Sequence, residues 1–419
     1  MKNSVIDRIV KKKIMTCVIG LGYVGLPLLQ LLSKKKFNVI GLDIKHEQII
    51  KAKTEGLQAT LNPSEALKDA DIIIICVPTP VDDDHRPDLC YVRTACQTIA
   101  KHIKNGVMVM LESTVAPGTT EEIVVSLLEE SGLKAGKDFY VAYCPERIDP
   151  GNPNWTIENI PRVVAGISKE STDIAFSFYQ NVLNGKIVKM SSPRAAEAVK
   201  IVENTFRDVN IAFVNELAKS FDKIDIDITE VIKGASTKPF GFLPHFPGCG
   251  VGGHCIAVDP YYLIEKAEKV GFSHKFLKLA REINDSMPDY TVEKLIYGLN
   301  QVGKSVRDSR ITILGLSYKG GVNDTRESPA FEIIDKLKGL GASLKIFDPY
   351  VLDKSNVKTI DEAFKETDCI VIVTSHPEFR DISPQTLLDN RVKVVIDGRN
   401  ILNKKKIQNI GLVYMGIGR

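Results

Sequence analysis

The stretch that decides the fold is IMTCVIGLGYVGLPLLQLL, at residues 14–32. Up to Ile19 it is apolar and rich in β-forming residues, which predicts a buried strand. Three glycines follow within GLGYVG at residues 20–25, and apolar residues then return at helical spacing. The stretch therefore predicts a strand, a tight turn and a helix in direct succession, which is how an α/β domain begins.

The glycines of this turn are spaced as GxGxxG, at Gly20, Gly22 and Gly25. Such glycines permit a tight turn, let a pyrophosphate approach the backbone, and let the helix pack on the strand. Asp43 closes the next predicted strand, where a carboxylate binds an adenosine ribose and repels a 2′-phosphate. These features predict NAD rather than NADP, although Lys45 would attract a phosphate. A glycine turn beside a solvated aspartate is the purely structural alternative.

Strand-like and helical segments alternate along the rest of the chain. Further strands are predicted at Val39–Leu42, Ile72–Val77, Val107–Leu111, Ile311–Leu314, Leu344–Phe347, Cys369–Val373 and Val392–Ile396. Between the two sets, apolar residues recur every three or four positions from Pro193 to Ile224, which predicts one long helix. The predicted fold class is α/β: two Rossmann-like doubly wound parallel-sheet domains, residues 1–192 and 301–419, joined by a long central helix in a helical connector at residues 193–300.

Composition narrows the class of protein. The chain has 419 residues, enough for two or three domains, and its 55 basic and 52 acidic residues leave a net charge of only +3. No nucleic-acid or membrane partner is therefore expected. The eight cysteines form no CxxC pair, so neither a metal site nor a disulfide scaffold is predicted, and a cytoplasmic location fits. An export signal before residue 32 is disfavoured by the glycines and Pro27.

Cys255 is a candidate nucleophile. It follows GVGGH at residues 250–254, where small residues let a ligand approach the backbone. A nearby cation such as Lys200 would lower the thiol pKa and so increase the thiolate, which is the actual nucleophile. A cysteine beside glycines is otherwise simply small and buried. His254 is predicted to contact the loop or substrate rather than to transfer protons, because adjacent side chains seldom face each other.

Four other polar residues are candidates by position. Lys200 and Asn204 are four positions apart on the predicted long helix, so they share one face. Thr114 and Glu146 follow strand-like segments, at the end of a parallel sheet where ligands usually bind. Each of these residues, taken alone, also fits a structural role.

Taken together and in order, these motifs resemble the UDP-glucose/UDP-N-acetylhexosamine 6-dehydrogenase family over nearly the whole chain. The matching motifs are GLGYVG (20–25), VPTP (77–80), EST (112–114), PE (145–146), ENTFRDVN (203–210), GGHC (252–255), Asp259, and Lys319 followed by DTRESP (324–329). Because individually weak signals fall at matching positions of one pattern, their joint occurrence by chance is negligible.

The resemblance implies oxidation of a sugar C6 alcohol to a carboxylate in two NAD-dependent hydride transfers, without release of the aldehyde. Cys255 would add to the aldehyde as a thiohemiacetal, the second transfer would give a thioester, and water would release the uronate. The thiol is needed because the aldehyde must become tetrahedral before it can donate hydride.

The resemblance also implies roles for single residues. Lys200 and Asn204 match donors that stabilise oxyanion charge, and Asp259 matches a carboxylate for proton transfer and water activation, supported by Thr114 and Glu146. The expected ligand contacts are, for NAD, Gly20, Gly22, Tyr23, Val24, Gly25, Asp43, Lys45, Pro78, Thr79 and Arg326, and for the UDP-sugar, Gly252, Lys319 and Arg399. Residues 1–192 would then bind NAD, residues 301–419 would bind UDP, and residues 193–300 would form the core of a homodimer or higher assembly.

One departure from the family affects the substrate. Glucose-type members carry PEFLxE, whereas PERIDP at residues 145–150 puts Pro150 in the place of the second glutamate, whose role therefore does not transfer. PERxxPG, with GGHCI at residues 252–256 and VDPY at residues 258–261, resembles the N-acetylhexosamine branch. IDPGNP (148–153) and KPFGFLP (238–244) further resemble the UDP-N-acetylglucosamine 6-dehydrogenases.

Three alternatives stay open. UDP-N-acetylmannosamine differs from the glucosamine sugar only at C2, which side-chain identity does not distinguish. A catalytically silent NAD- or nucleotide-sugar-binding protein would keep the fold, although the presence of both Cys255 and Lys200 argues against it. A dehydrogenase of the 6-phosphogluconate type shares the architecture but gives no reason for the cysteine.

Overall fold

The computed structural model describes residues 5–82, 84–149 and 151–419. Its strands are β1 (Met15–Ile19), β2 (Asn38–Leu42), β3 (Ala59–Thr60), β4 (Ile72–Ile75), β5 (Met108–Leu111), β6 (Tyr140–Tyr143), β7 (Arg162–Gly166), β8 (Ile187–Lys189), β9 (Arg310–Leu314), β10 (Ser343–Phe347), β11 (Cys369–Ile372), β12 (Val394–Asp397) and β13 (Val413–Gly416). Its α-helices are α1 (Val5–Val10), α2 (Gly25–Lys34), α3 (His46–Thr54), α4 (Pro63–Leu67), α5 (Cys90–Ala100), α6 (Val125–Leu128), α7 (Lys169–Val182), α8 (Pro193–Lys223), α9 (Ile228–Ala235), α10 (Asp259–Glu268), α11 (Lys275–Asp285), α12 (Met287–Gln301), α13 (Pro329–Gly339), α14 (Ile360–Phe364), α15 (Pro377–Arg380), α16 (Pro384–Asp389) and α17 (Lys404–Gln408).

The chain divides into two compact units. The first contains Met1–Glu203 and Tyr261–Ser273, and the second contains Asn204–Pro260 and His274–Arg419. Each unit holds one sheet, and the chain passes between the units inside α8 and at the start of α10. The division into three domains that the sequence suggests remains a prediction.

The first sheet has eight strands in the order β3-β2-β1-β4-β5-β6-β7-β8. From β3 to β6 all pairs are parallel, and this 3-2-1-4-5-6 order is that of doubly wound dinucleotide-binding sheets. The order reverses between β1 and β4, so the loops at their carboxyl ends diverge and leave a crevice for a ligand. β7 departs from the expected parallel arrangement and runs antiparallel to β6, because the described residues between them form no crossover helix.

Helices cover both faces of the first sheet because its central strands are apolar on both faces. In β4, Ile72 and Ile74 join a hydrophobic cluster with α2 and α7, whereas Ile73 and Ile75 join a second cluster with α5 and α6. The run of four isoleucines is therefore buried from both directions, as expected for a central parallel strand.

The second sheet has five parallel strands in the order β10-β9-β11-β12-β13. This is the 2-1-3-4-5 doubly wound order, which reverses between β9 and β11. Helices α12 and α13 pack on one face and α14 to α17 on the other. The two parallel α/β sheets and the long helix α8 confirm the predicted fold class.

Helix α8 buries polar side chains together with apolar ones, and it exposes part of its apolar repeat. Its buried polar side chains are Glu197, Lys200, Asn204, Thr205, Asp208 and Asn215. Val202, Phe206 and Phe213, by contrast, are 55%, 48% and 53% exposed. The apolar repeat correctly predicts a helix, but these three of its residues are exposed, whereas Val199 and Leu217 pack against the hydrophobic clusters.

Other differences from the sequence prediction have local causes. The helical region predicted from Tyr261 to Leu299 is three helices, interrupted near Gly271, whose φ is 83°, and at Ser286 before a proline. Strands β3 and β8 have only two and three residues, too few for a periodic signal, and the sequence prediction also lacks β7 and β13. None of the helices in the described ranges combines the length and the apolar character needed to cross a membrane.

Candidate active site

Glycine stands at each of the three positions of the first turn for a different physical reason. Gly20 has a φ of 89°, and a Cβ there would lie 2.8 Å from the carbonyl oxygen of Cys76. A Cβ on Gly25, the first residue of α2, would lie 1.8 Å from the carbonyl oxygen of Gly20, so only glycine lets the helix pack on the turn. Gly22 has nothing within 4 Å of the Cβ position, which leaves its backbone open to a ligand. The turn thus fits the pyrophosphate of a dinucleotide.

Asp43 lies half-buried beside this turn, directly after β2. Its carboxylate accepts hydrogen bonds from the backbone N–H of Leu21, at 2.7 Å, and of Lys45, at 2.8 Å. The carboxylate therefore joins the glycine turn to the start of α3, and it stands where a ribose-binding carboxylate is needed. The side chains of Tyr23 and Lys45 are exposed, and Val24 is half-buried.

The loops after β4 and β5 are tied together. Ser113 donates its hydroxyl to the carbonyl oxygen of Val77 at 2.7 Å. In the segment Pro78–Thr79 that follows, the carbonyl oxygen of Thr79 accepts a hydrogen bond from the Tyr262 hydroxyl at 2.6 Å. Thr114 is half-buried at the end of β5. Both loops therefore lie at the carboxyl edge of the first sheet, beside the glycine turn.

Glu146 belongs to a cluster of buried charges after β6. The fully buried Arg162 donates to Glu112 at 2.8 Å and stands 3.8 Å from Oε1 of Glu146, and the Tyr179 hydroxyl donates to Glu112 at 2.6 Å. Burial raises the pKa of Glu146, although the charges of Arg162 and Lys200 oppose the shift. A carboxyl with a raised pKa exchanges protons nearer to neutral pH, which suits an acid/base role.

The buried face of α8 supplies a polar side chain at successive turns. Glu197 accepts hydrogen bonds from the backbone N–H of Gly118 and Thr120, at 2.5 and 2.8 Å. Lys200 follows one turn later and Asn204 one turn after that, and both are less than a tenth exposed. Because residues spaced in this way share a helix face, Lys200 and Asn204 project to the same side of α8.

Cys255 lies in a turn that leads directly into α10. Its carbonyl oxygen accepts hydrogen bonds from the N–H of Val258, at 3.2 Å, and of Asp259, at 2.8 Å. Asp259 is the first residue of α10 and is buried, and its carboxylate accepts from the Asn204 amide at 2.5 Å. Cys255 is half-buried, whereas six of the other cysteines are buried. The backbone of Cys255 is thus bonded to the backbone of Asp259, and the Asp259 carboxylate to the Asn204 amide, within the second unit.

Gly252 and Gly253 pack against the loop that follows β9. A Cβ on Gly252 would lie 2.5 Å from the carbonyl oxygen of Glu327 and 2.8 Å from the Cβ of Tyr318. Gly253 donates its N–H to the carbonyl oxygen of Arg326 at 2.9 Å. Lys319 follows Tyr318 in the same loop. The loop that precedes Cys255 and the loop that carries Lys319 are therefore adjacent in space, although they are far apart in sequence.

Asp324 connects Arg326 and His254. Nε of Arg326 donates to both carboxylate oxygens of Asp324, at 2.9 and 3.1 Å, and Nδ1 of His254 lies 3.9 Å from Oδ2. Although burial would raise the pKa of Asp324, the hydrogen bonds from Arg326 lower it. Asp324 is therefore a carboxylate whose hydrogen bonds stabilise the loop that follows β9. A cofactor contact for Arg326 and a loop or substrate contact for His254 remain predictions.

Arg399 contacts the beginning of the loop that ends at Cys255, which comprises residues 248–255. Its Nε donates to the carbonyl oxygen of Val373 at 2.6 Å, and a Cβ on Gly248 would lie 2.6 Å from its guanidinium. The N–H of Gly248 donates to Asn215 of α8 at 3.0 Å. The loop that ends at Cys255 is therefore held at its start by both α8 and the end of β12.

The predicted residues fall into two groups. Those in the first unit are Gly20, Gly22, Tyr23, Val24, Gly25, Asp43, Lys45, Pro78, Thr79, Thr114, Glu146 and Lys200. Those in the second unit are Asn204, Gly252, Cys255, Asp259, Lys319, Arg326 and Arg399. Pro150, which stands in place of the second family glutamate, lies outside the described residues.

Several residues of the site escape prediction from sequence. Arg162 and Glu197 are single charged residues that become buried only through long-range packing. Arg147 donates from Nε to Glu203 at 3.0 Å, and this pair has a sequence signal, because both residues lie in the quoted motifs PERIDP and ENTFRDVN. Buried partners such as Arg162 and Glu197 orient the residues that face a ligand.

Models of three domains of one protein family match the chain. The NAD binding domain of the UDP-glucose/GDP-mannose dehydrogenase family matches residues 14–57 and 47–183, and the central domain of that family matches residues 194–286. The UDP binding domain of the family matches residues 312–404.

Individual relatives match over nearly their full length. A UDP-N-acetyl-D-mannosamine dehydrogenase from Pyrococcus horikoshii is 35% identical over 423 residues, which cover 96% of this chain and 98% of that protein. A UDP-N-acetyl-D-glucosamine 6-dehydrogenase from Pseudomonas aeruginosa is 35% identical over 420 residues, with 94% and 99% covered. The solved structure of the Pyrococcus horikoshii UDP-D-ManNAc dehydrogenase is similar with a TM-score of 0.89, over 97% of this chain and 99% of that one.

Proposed function

The chain belongs to the UDP-glucose/GDP-mannose dehydrogenase family, and from this we propose that it oxidises the C6 alcohol of UDP-N-acetylglucosamine to the uronate. As a member of that family it is an NAD-dependent UDP-sugar dehydrogenase. The observation that supports the finer proposal is that Cys255 is bonded through its backbone to the start of α10, whose first residue, Asp259, has its carboxylate held by Asn204. A four-electron oxidation needs a nucleophile and an acid/base group in one site.

NAD supplies the hydride acceptor when it is bound. The glycine turn would hold its pyrophosphate at the N-terminus of α2, and Asp43 would bind the ribose hydroxyls and disfavour NADP. We assign further NAD contacts to Tyr23, Val24, Lys45, Pro78, Thr79 and Arg326. Residues 1–192 are the proposed NAD-binding domain, and residues 301–419 are the proposed UDP-binding domain.

In the first oxidation, the C6 hydroxyl loses its proton while C6 loses a hydride, which leaves an aldehyde. Asp259 accepts the proton, directly or through water, because its carboxylate is buried and held by the amide of Asn204. Lys200 and Asn204 stabilise the negative charge that develops on the C6 oxygen.

In the second oxidation, the thiolate of Cys255 forms a bond from Sγ to C6, and the carbonyl oxygen takes up a proton to give a thiohemiacetal. Loss of the second hydride from C6 and of the hydroxyl proton gives a thioester. Water then adds to C6 and the carbon–sulfur bond breaks, so that the uronate and the thiolate separate. Thr114 and Glu146 assist this water, and the raised pKa of Glu146 suits proton exchange.

The UDP-sugar is assigned to the loops that meet at Gly252. Lys319 would contact the diphosphate as a cation, Arg399 would contact the substrate, and Gly252 would let the sugar approach the backbone. The sequences IDPGNP and KPFGFLP favour the glucosamine sugar. UDP-N-acetylmannosamine is the second candidate, because several relatives of similar identity are named as dehydrogenases of that sugar.

The function is tested by incubating the purified protein with NAD and one UDP-sugar at a time. UDP-N-acetylglucosamine should give two NADH for each sugar consumed, and semicarbazide should trap no free aldehyde. Faster oxidation of UDP-N-acetylmannosamine would establish the second candidate. One NADH per sugar would mean an aldehyde product, and no NADH from either hexosamine would leave only ligand binding.

A homodimer or higher assembly is proposed through α8. The apolar stripe of Val202, Phe206 and Phe213 is about half exposed on a 31-residue helix of this chain. Covering such a stripe with the same stripe of a second copy removes apolar surface from water, at roughly 25 cal/mol per Å².

Replacing Phe213 with aspartate should therefore disrupt self-association. The carboxylate would meet its own copy or apolar groups in the interface, which costs several kcal/mol. Light scattering should give the mass of a dimer or larger assembly for the native protein and a lower mass for the variant. Ile50→Asp is a matched control, because Ile50 is 54% exposed on α3, outside the stripe. A native protein that is an active monomer would reject the proposal.

A further inference from the structure

A fully buried histidine stands at the carboxyl edge of the second sheet. His376 follows β11 and immediately precedes α15. Its ring stacks on Tyr350, with centroids 4.8 Å apart and an interplanar angle of 19°, and meets the edge of Phe379 at 5.3 Å. The two aromatic rings leave the imidazole little freedom to rotate, so its two nitrogens point in defined directions.

Both ring nitrogens of His376 are engaged. Nδ1 lies 3.1 Å from the backbone nitrogen of Gly321, and Nε2 lies 3.0 Å from Oδ2 of Asp348. A backbone N–H can only donate, so Nδ1 must accept and the ring proton must be on Nε2, which donates to Asp348. Although burial would raise the pKa of Asp348, hydrogen bonds from His376 and two backbone N–H groups lower it to about 2. Asp348 is therefore an acceptor in this arrangement.

The same carboxylate holds the start of the loop after β9. Oδ2 of Asp348 accepts from the backbone N–H of Leu316 at 2.7 Å and from the N–H and hydroxyl of Ser317 at 2.9 and 3.0 Å. The loop is thus fixed at residues 316–317 by Asp348 and at Gly321 by His376. Lys319 lies between these two points.

The middle of the loop has no room to move toward β11. A Cβ on Gly320 would lie 2.3 Å from the carbonyl oxygen of Ser375, next to His376. The loop and residues 375–376 follow β9 and β11, the neighbouring strands between which the sheet order reverses, which is where doubly wound sheets bind their ligands.

We propose that His376 is a positioning residue for the UDP-sugar, which acts through Gly321 to hold Lys319 in place for the diphosphate. The inference rests on the proposed role of Lys319 in UDP binding, but not on the identity of the hexosamine or on the chemistry of Cys255. A loop that is already ordered loses less conformational entropy when it binds a ligand, so the histidine contributes to affinity without contacting the ligand.

Two amide variants separate the two hydrogen bonds. In His376→Asn, the side-chain oxygen of asparagine stands near the position of Nδ1 and still accepts the hydrogen bond from the N–H of Gly321. In His376→Gln, the side-chain nitrogen of glutamine stands near the position of Nε2 and keeps only the donor to Asp348, whose Oδ2 accepts from three other groups. In H376Q, both the KM for the UDP-sugar and the Kd for UDP alone should rise roughly tenfold, with kcat and the Kd for NAD unchanged. H376N should lose less than threefold.

A double-mutant cycle with Lys319→Met tests whether the histidine acts through the lysine. Calorimetry with UDP should show that H376Q has little further effect in the K319M background. Additive effects, or equal losses in H376N and H376Q together with an equal fall in Tm, would overturn the proposal. If K319M binds UDP as tightly as the native protein does, the proposed role of Lys319 itself fails. This outcome is distinct from a failure of the proposed oxidation, because UDP binding is measured without turnover.

Discussion

Replacing Cys255 with serine is expected to lower the steady-state rate of NADH formation by on the order of 10³-fold or more. The size of the effect follows from the chemistry proposed for the second oxidation. A serine hydroxyl at neutral pH is a far weaker nucleophile than a thiolate, and the ester that it would form is less readily hydrolysed than a thioester. The aldehyde would then remain unable to donate its hydride at a useful rate.

The variant should keep its ligands. Cys255 is half-buried in a turn held by backbone hydrogen bonds to Val258 and Asp259, which serine preserves. The Kd values for NAD and for UDP, measured by calorimetry, should therefore stay within about twofold of the native values, since no backbone contact is lost. Mass spectrometry of the native protein, quenched during turnover, should show the sugar attached to Cys255.

A matched control is Cys90→Ser. Cys90 is the exposed cysteine at the start of α5, where its thiol donates to Asp88 at 3.2 Å. This substitution should leave the turnover rate unchanged, which separates the loss of this particular thiol from a general effect of replacing cysteine. If the Cys255→Ser protein turns over at the native rate, the covalent intermediate is wrong.

Replacing Arg162 with methionine should cost about 3–5 kcal/mol of unfolding free energy. The guanidinium is fully buried, 2.8 Å from Glu112 and 3.8 Å from Glu146. Removing it leaves two buried carboxyl groups without their cation, and the hydroxyl of Tyr179 cannot neutralise Glu112. For a unit of this size the Tm should fall on the order of 10 °C.

Urea unfolding can be followed through Trp155, the single tryptophan of the chain, which lies in the first unit. The double variant Glu112→Gln with Arg162→Met removes both charges and keeps an acceptor for Tyr179, so it should recover at least half of the lost free energy. Arg194→Met is the surface control, because Arg194 is largely exposed and pairs with Glu121 and Glu122.

The surface control should change the unfolding free energy by less than about 1 kcal/mol. Equal losses from Arg162→Met and Arg194→Met would contradict the buried charge cluster. A double variant that is less stable than Arg162→Met alone would also contradict it, because it would mean that the carboxylate of Glu112 needs no cation.

Much of the fold is predictable from short stretches of sequence. The strand, turn and helix around Gly20, Gly22 and Gly25 follow from apolar spacing and from the glycine pattern, in which a Cβ at Gly20 or Gly25 would clash with the backbone. The buried strands β4 and β11 are continuous apolar runs, and α8 follows from its apolar repeat. The direction of β7 and the short strands at the sheet edges are not predictable in this way, since pairing across the chain defines them.

The candidate site is only partly visible in the sequence. Cys255, Lys200 and Asp43 have signals in neighbouring residues, because glycines or helical spacing mark positions that a ligand can reach. Arg162 and His376 have none, since their environment is made by segments far away in the chain. His376 in particular depends on Gly321, in the loop after another strand.

By itself the sequence determined the doubly wound α/β class and the glycine turn for a dinucleotide, because these depend on residues close together in the chain, and it predicted Cys255 as the candidate thiol. Only the tertiary structure decided that α8 buries six polar side chains and exposes part of its apolar repeat, that Asn204 bonds Asp259, and that the loop of Lys319 packs against the loop of Cys255. Those contacts join residues tens of positions apart, and a periodic pattern identifies the faces of a helix without saying which face the rest of the chain will cover.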